Sequence, residues 1–154
     1  MINRHPHIFS DKNDSRFTKG NWELSKQKEK KRDSILDGVP IALPALLRGR
    51  RIQEKASSVG FDWEEIIPIW DKINEEIEEL QEAIGTKNND KIIDEMGDVL
   101  FSIVNLARFL DIDPESSLRH TIRKFTDRFK KIEKILNSKG KEIKDSTLEE
   151  MDTL

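Results

Sequence analysis

The sequence predicts an all-α fold, a bundle of four to five helices, and three observations favour it. Apolar residues recur at helical spacing in successive long stretches. No stretch alternates apolar and polar residues as a half-buried strand would. Capping residues and prolines divide the chain into separate segments. With 154 residues, 35% of them hydrophobic and 37% charged, the chain suits one domain with tails.

The first helix is preceded by a polar, irregular stretch. We expect residues 1–37 to form a tail or linker ahead of a compact domain over residues 38–154. The first helix is predicted from about Pro44, because proline is favoured at the first helical position. It should end near Ser58, with Gly60 as the terminator.

The second helix is predicted from its capping signals. Asp62 would cap this segment, with Glu65 as its capping-box partner. Pro68 would kink or split it, and Gly85 would end it. Its narrow apolar seam consists of Ile73, Ile77, Leu80 and Ile84.

The third helix is predicted from about Asn89 to Leu110. It is apolar over most of its circumference, so we expect it to be buried on most sides. Asp113 and Pro114 form an N-cap and first-turn pair that opens a fourth helix, ending near Gly140. Residues 147–150, Thr-Leu-Glu-Glu, form a capping box that opens a short last helix.

Composition restricts the class of protein. The absence of cysteine excludes disulfides and thiolate metal sites, and it fits a reducing cytoplasm. No apolar run is long enough to span a membrane. The net charge of −3 argues against non-specific nucleic-acid binding, which needs a basic excess. We therefore expect a cytoplasmic protein without a nucleic-acid or membrane partner.

Two pairs of acidic residues are the candidate functional residues of the chain. Glu76 and Glu79 stand three residues apart in the second helix, and Glu95 and Asp98 stand three apart in the third. Each pair lies beside an apolar seam, where an ionised carboxylate is costly unless it is paired or binds a metal. Oxygen ligands favour Mg²⁺ or Mn²⁺, and Mg²⁺ usually takes part of its shell from substrate phosphates. The pattern indicates a phosphate-bearing substrate.

A basic pair accompanies the acidic ones. Lys124 and Arg128 lie four residues apart along one edge of the fourth helix, where they could neutralise phosphate charge. Asn105 lies on the same strip of the third helix as its acidic pair, and we expect it to contact substrate. The alternative is that the acidic and basic residues are ordinary solvated surface groups. Periodicity alone leaves both interpretations open.

The acidic pairs also form a family hallmark, Glu-Glu-x-x-Glu followed by Glu-x-x-Asp, at residues 75–79 and 95–98. The surrounding segments DGVPIALPALLRGRRIQEKASSVGFDW, EMGDVLFSIVNLARFL and RKFTDRFKKIE are similar as well. Over about residues 35–150 the chain resembles MazG, the all-α nucleoside triphosphate pyrophosphohydrolases. The likeness is strongest to the C-terminal domain of the two-domain bacterial form.

The resemblance implies Mg²⁺-dependent cleavage of a nucleoside triphosphate to the monophosphate and pyrophosphate, in nucleotide-pool housecleaning or regulation. It implies a tight homodimer. It also implies four metal ligands, Glu76, Glu79, Glu95 and Asp98. Triphosphate contacts are implied for Lys124 and Arg128.

The sequence departs from the family pattern at both ends. Residues 1–37 look like the tail of an N-terminal domain plus a linker. The family's final helix usually continues to a Trp and a Lys, whereas this sequence stops at Leu154. A catalytically weak helical module for dimerisation or partner binding is therefore an alternative function. Hydrolysis of a different pyrophosphate linkage is a further alternative function.

Trp63 and Trp70 could stack on a base, but we expect them in the core.

Overall fold

The computed structural model describes residues 33–154, and these contain five α-helices and no strand. The helices are α1 (Ala45–Ser57), α2 (Ile67–Thr86), α3 (Asn89–Phe109), α4 (Pro114–Ser138) and α5 (Leu148–Asp152), with a 3₁₀ turn at Ile143–Asp145. The predicted all-α class is thereby confirmed. Most of the predicted tail over residues 1–37 lies outside the described residues. The chain divides after Pro114 into two compact units, and each is described by itself.

Helix α1 begins within one residue of the predicted start, since the carbonyl of Pro44 accepts the N–H of Arg48 at 2.8 Å. Its end also agrees with the prediction. Gly60 adopts a φ of +93°, a left-handed conformation that glycine adopts without strain. The following N–H, of Phe61, turns back to the carbonyl of Ala56 at 3.1 Å. The glycine therefore closes the helix and turns the chain towards α2.

Three predictions about the ends of α2 were wrong. The helix begins at Ile67 rather than after Asp62, whose carboxylate is engaged with Arg108 instead. Pro68 stands in the first turn, where its missing N–H costs nothing, so it starts the helix and does not kink it. Gly85 is helical, and the left-handed residue that ends α2 is Lys87, with φ 56°.

The core of the first unit is formed where α2 packs against α3. Ile69 and Ile73 of α2 and Leu106 of α3 are buried together, and Ile66 and Phe109 pack against them. Side chains such as Ile69, almost fully removed from water, each contribute about 1.5–3 kcal/mol before entropy is counted. This contact places one face of α2 against α3 and therefore aligns the acidic residues of the two helices.

The buried face of α2 differs from the predicted seam. It consists of Ile69, Ile73, Glu76 and Ala83, at the four- and three-residue spacing of one helix face. Ile77 and Ile84, predicted to be in the seam, are exposed. Glu76 is thus not beside the apolar face but part of it, with 6% of its surface exposed.

Helix α3 begins with a conventional cap and packs on α1 as well as α2. The side chain of Asn88 accepts hydrogen bonds from the N–H groups of Asp90 and Lys91. On the α1 side, Gly49 lies against Val104 and Phe101, and a methyl group added to this glycine would be in ordinary contact with them at 3.5 Å and 3.6 Å. An alanine would therefore fit here without moving α1 away from α3.

The prediction that α3 is buried on most sides was wrong, because apolar side chains on its other sides are exposed. Exposed members are Ile93, Met96, Leu100 and Ile103. The reason is that α1 and α2 cover only part of the helix circumference. Trp63 and Trp70 were expected in the core but are exposed over 42% and 47% of their surface.

The second unit contains α4, the 3₁₀ turn and α5. Along α4 the apolar side chains Leu118, Ile122, Phe125 and Phe129 are exposed, while Leu136 is fully buried. The predicted cap of the last helix is present, because the hydroxyl of Thr147 accepts the N–H of Glu150 at 3.2 Å. The Glu150 carboxylate pairs with Lys141. None of the helices within residues 33–154 is long and apolar enough to cross a bilayer.

Candidate functional site

Three of the predicted carboxylates meet between α2 and α3. Glu76, Glu79 and Glu95 each offer an oxygen, and these oxygens all lie within 4.8 Å of one another. Glu76 is buried, Glu95 is half-buried and Glu79 is exposed. Glu76 and Glu79 are one turn apart on α2 and point to the same side of it. The packing of α3 against α2 places Glu95 beside them. Glu78, the neighbour of Glu79, is outside this group.

The cluster carries more negative charge than its surroundings neutralise. The pKa of Glu79 is raised, first by partial loss of hydration and then by the charges of Glu76 and Glu95. Within the described residues, a lysine neutralises part of this charge. The Nζ of Lys72 lies 2.8 Å from Glu76 and 3.1 Å from Glu75. These contacts, led by the hydrogen bond to Glu76, raise the pKa of Lys72.

The donor set fits a hard divalent cation. All the converging atoms are carboxylate oxygens, which suit Mg²⁺ or Mn²⁺ and do not suit softer metals. After partial loss of hydration, the charges of Glu76 and Glu95 contribute to the raised pKa of Glu79, so a positive charge among these groups would relieve that repulsion. Asp98 follows Glu95 by one turn of α3 and is exposed. It is outside the tight group of three, but it lines the same cavity as Glu76.

A cavity of about 570 Å³ adjoins the carboxylates within the first unit. Apolar and aromatic side chains dominate its wall, among them Ile52, Ile69, Trp63 and Phe101. This size and lining are typical of small-molecule sites. Because Glu76 forms part of the wall, the cavity and the acidic cluster are continuous.

Asn105 lines this cavity and is held in place by a charged network. Its Oδ1 accepts a hydrogen bond from the Nε of Arg108 at 3.0 Å. Both terminal nitrogens of Arg108 donate to Asp62, one of them at 2.9 Å. Partial burial acts to raise the pKa of Asp62, but hydrogen bonds from Arg108 and Ser57 hold it below its ordinary value. Because Oδ1 faces Arg108, the amide nitrogen of Asn105 is a donor that the residue can offer to a ligand.

Lys124 and Arg128 lie on α4, in the second unit. Both are exposed, and their four-residue spacing puts them on one side of that helix. Their contact with a triphosphate stays a prediction.

Two residues at the site escaped the sequence predictions. Lys72 had a usable signal, because it stands four residues before Glu76 on the same helix, the spacing of an ion pair. Gln53 of α1 is buried in the cavity wall. Its signal was its helical spacing with Gly49 and Ala56, which places it on the face that meets α3.

Comparisons with known proteins identify relatives by sequence. A family model described as the MazG nucleotide pyrophosphohydrolase domain matches residues 65–133, a segment that includes every predicted site residue. The chain is 44% identical over 154 residues to a Thermotoga maritima protein named nucleoside triphosphate pyrophosphohydrolase/pyrophosphatase MazG. It is 39% identical over 156 residues to the Escherichia coli K12 nucleoside triphosphate pyrophosphohydrolase.

These alignments cover 99% and 97% of the chain but only 58% and 59% of the two relatives. The chain thus spans about three fifths of the length of these curated relatives. A third relative, Bacillus subtilis YabN, is 42% identical over 159 residues, which is 100% of the chain and 32% of that protein. The resemblance drawn from the sequence is confirmed, because residues 65–133 match the MazG domain model and relatives named nucleoside triphosphate pyrophosphohydrolase align with nearly all of the chain.

Proposed function

We propose that this chain hydrolyses nucleoside triphosphates to the nucleoside monophosphate and pyrophosphate, breaking the bond between the α-phosphorus and the oxygen that bridges to the β-phosphate. The observation that carries the proposal is the convergence of Glu76, Glu79 and Glu95 beside a cavity of ligand size. Two relatives that align with nearly all of the chain are named for this activity. A role in nucleotide-pool housecleaning or regulation would follow from such an activity.

The proposed cofactor is Mg²⁺, with Mn²⁺ as a substitute. Glu76, Glu79, Glu95 and Asp98 would hold it. A bound divalent cation supplies charge neutralisation for the triphosphate and activates the attacking water. The carboxylates determine where the cation would bind, because Glu76 is buried on the face of α2 that packs against α3 and therefore has a fixed position.

Other side chains would bind and orient the substrate. Lys124 and Arg128 would contact the triphosphate and stabilise the charge on leaving pyrophosphate. Asn105 would contact the substrate within the cavity, since its amide nitrogen is directed by the bond from Arg108. The apolar wall would exclude water from one side of the bound molecule.

We also propose that the functional protein is a homodimer. Support comes from the apolar side chains of α3 that a single chain leaves exposed, led by Ile93 at 67%. Contiguous exposed apolar surface of this kind marks association sites. Nucleic-acid and membrane partners are not part of the proposal, and a cytoplasmic location stays a prediction from composition.

The test is product analysis. The protein is incubated with Mg²⁺ and each nucleoside triphosphate, and the products are separated by ion-exchange chromatography. Monophosphate and pyrophosphate in equal amounts support the proposal. Diphosphate and orthophosphate would refute the position of cleavage. A dimer without any turnover would instead favour a helical dimerisation module.

A further inference from the structure

Arg108, near the end of α3, is bonded to two different parts of the wall that surrounds the cavity beside the acidic cluster. Its side chain is 11% exposed. The Nε donates to Oδ1 of Asn105 at 3.0 Å, and both terminal nitrogens donate to the carboxylate of Asp62. A planar guanidinium engaged through all three nitrogens has little freedom to turn, so it holds its two partners in one arrangement.

The α1–α2 loop, residues 58–66, forms one side of this cavity. Three of its apolar side chains line the cavity, namely Val59, Phe61 and Trp63. Each of them is exposed over at least 42% of its surface, so packing against the rest of the protein holds them weakly. Directed polar contacts therefore matter more for the position of this loop.

Asp62 attaches the loop to α3. Besides the two bonds from Arg108, its carboxylate accepts hydrogen bonds from the hydroxyl of Ser57 at 2.6 Å and from the main-chain N–H of Trp63 at 2.9 Å. Ser57 belongs to α1 and Trp63 to the loop itself. The pair with Arg108 is the part of this network that crosses to α3, and it does so next to a residue of the cavity wall.

Asn105 lines the same cavity and is oriented by the same guanidinium. Because a guanidinium only donates, the atom that faces it is the amide oxygen. The bond therefore keeps the amide from turning over, and its nitrogen remains a donor.

We propose that Arg108 is a positioning residue for the substrate, which acts through Asp62 and Asn105 by holding the α1–α2 loop and the Asn105 amide in place before the substrate binds. The inference rests on the proposed function. The bonds of Arg108 go to these two residues and not to the clustered carboxylates. Arg108 should therefore affect how tightly the substrate is held and not the rate at which the bound substrate is cleaved.

Arg108→Lys is the principal variant, because it keeps the positive charge but lacks the planar fork that makes three directed bonds. Asp62→Asn weakens the same contact from the other side, and it carries the test if Arg108→Lys does not fold. Arg50→Lys is the matched control. Arg50 is 15% exposed and also bonds two carboxylates, those of Glu54 and Asp111, but it does not line this cavity.

The test measures kcat and KM with Mg²⁺ and the natural triphosphate that the wild type hydrolyses fastest. The temperature is one at which circular dichroism shows the variants to be folded. Dissociation constants for α,β-methylene analogues of ATP, GTP, CTP and UTP are measured by calorimetry, so that binding is also followed without turnover. The double variant Arg108→Lys/Asp62→Asn completes a mutant cycle.

Arg108→Lys should raise KM and the dissociation constant of the analogue roughly three- to tenfold, with kcat within about twofold of the wild type. Asp62→Asn should change both in the same direction. The double variant should lose less than the product of the two single losses, because both substitutions weaken one contact. Arg50→Lys should match the wild type in both assays.

Wild-type KM and affinity in folded Arg108→Lys and Asp62→Asn variants would overturn the proposal, since the ion pair would then serve stability alone. An equal loss in Arg50→Lys, or losses that multiply in the double variant, would overturn it as well. Weaker analogue binding by Arg108→Lys but not by Arg50→Lys, with no monophosphate and pyrophosphate released by the wild type, would refute the proposed function and leave the positioning role standing. A wild type that neither binds nor hydrolyses any of the nucleotides would refute both.

Discussion

Replacing Lys72 by methionine tests whether the acidic cluster is held together by a cation. The Nζ of Lys72 lies 2.8 Å from Glu76, whose side chain is almost fully buried. At an effective dielectric constant of about 20, two charges at this distance attract by about 6 kcal/mol before hydration is counted. Lys72 is 37% exposed, so most of that energy is offset by lost hydration. We expect the net loss on mutation to be about 1–2 kcal/mol, between the values for exposed and buried ion pairs.

The assay is urea denaturation of both proteins, with and without saturating Mg²⁺. Without Mg²⁺, Lys72→Met should be less stable, because Glu76 loses its counter-charge while Glu79 and Glu95 remain close. With Mg²⁺, the bound cation should replace the lost charge. The stabilisation by Mg²⁺ should therefore be larger in the variant than in the wild type.

Lys91→Met is the matched control. Lys91 stands four residues before Glu95, as Lys72 stands before Glu76, but it is exposed and makes no ion pair with a described residue. Its replacement should change neither stability nor the response to Mg²⁺ appreciably. An equal response to Mg²⁺ in wild type and Lys72→Met would refute the view that lysine and metal neutralise the same carboxylates.

Further predictions concern pH and the ends of helices. The pKa of Asp62 lies below its ordinary value, because hydrogen bonds from Arg108 outweigh the opposing effect of partial burial. As the pH falls, Asp62 therefore binds a proton in the unfolded chain before it does so in the folded chain. The stabilisation by the Asp62–Arg108 pair is present above about pH 4 and is lost as the pH falls through the folded-state pKa of Asp62. Asp62→Asn should cost about 1–2 kcal/mol at neutral pH and flatten the acid limb of a stability–pH curve; an unchanged acid limb would contradict this assignment. Gly85 is helical with open space around it, so Gly85→Ala should raise the unfolding free energy by about 0.5–1 kcal/mol in denaturant titrations. Gly60→Ala should lower it by about 1–2 kcal/mol, because its φ of +93° strains an alanine. A gain at Gly60 or a loss at Gly85 would show that the two helix ends are misassigned.

Local signals in the sequence were enough to predict the helices and most of their ends, although the predicted ends of α2 were wrong. Asn88 and Thr147 cap helices through side-chain oxygens, and Pro114 and Gly60 stand where a helix starts or has just ended. Such signals act within a few residues, so they can be recognised without knowing the fold.

The rotation of α2 could not be predicted in the same way. Isoleucines surround much of this helix, and both Ile77 and Ile69 fit an apolar face by spacing. Which face is buried depends on contact with Leu106 of α3, a partner distant in sequence. For that reason the sequence placed Glu76 beside the apolar face, whereas packing buries it.

The site residues also differ in this way, because local spacing predicts some of them and only contacts between distant segments position the others. The one-turn spacing of Glu76 and Glu79 was visible in the sequence, as was the second acidic pair. The bond from Arg108 to Asp62 joins residues 46 positions apart, and no periodicity reports such a contact. The orientation of Gln53 depends likewise on the carbonyl of Phe101, 48 residues away.

The most direct test of the central claim compares Glu79→Gln with Glu78→Gln. Both residues are exposed on α2, but only Glu79 belongs to the cluster. With Mg²⁺ and a nucleoside triphosphate, Glu78→Gln should release monophosphate and pyrophosphate at the wild-type rate. Glu79→Gln should lose about two orders of magnitude or more in rate, while its stability is unchanged or higher because repulsion from Glu76 and Glu95 is relieved. Wild-type turnover by a folded Glu79→Gln variant would contradict the account.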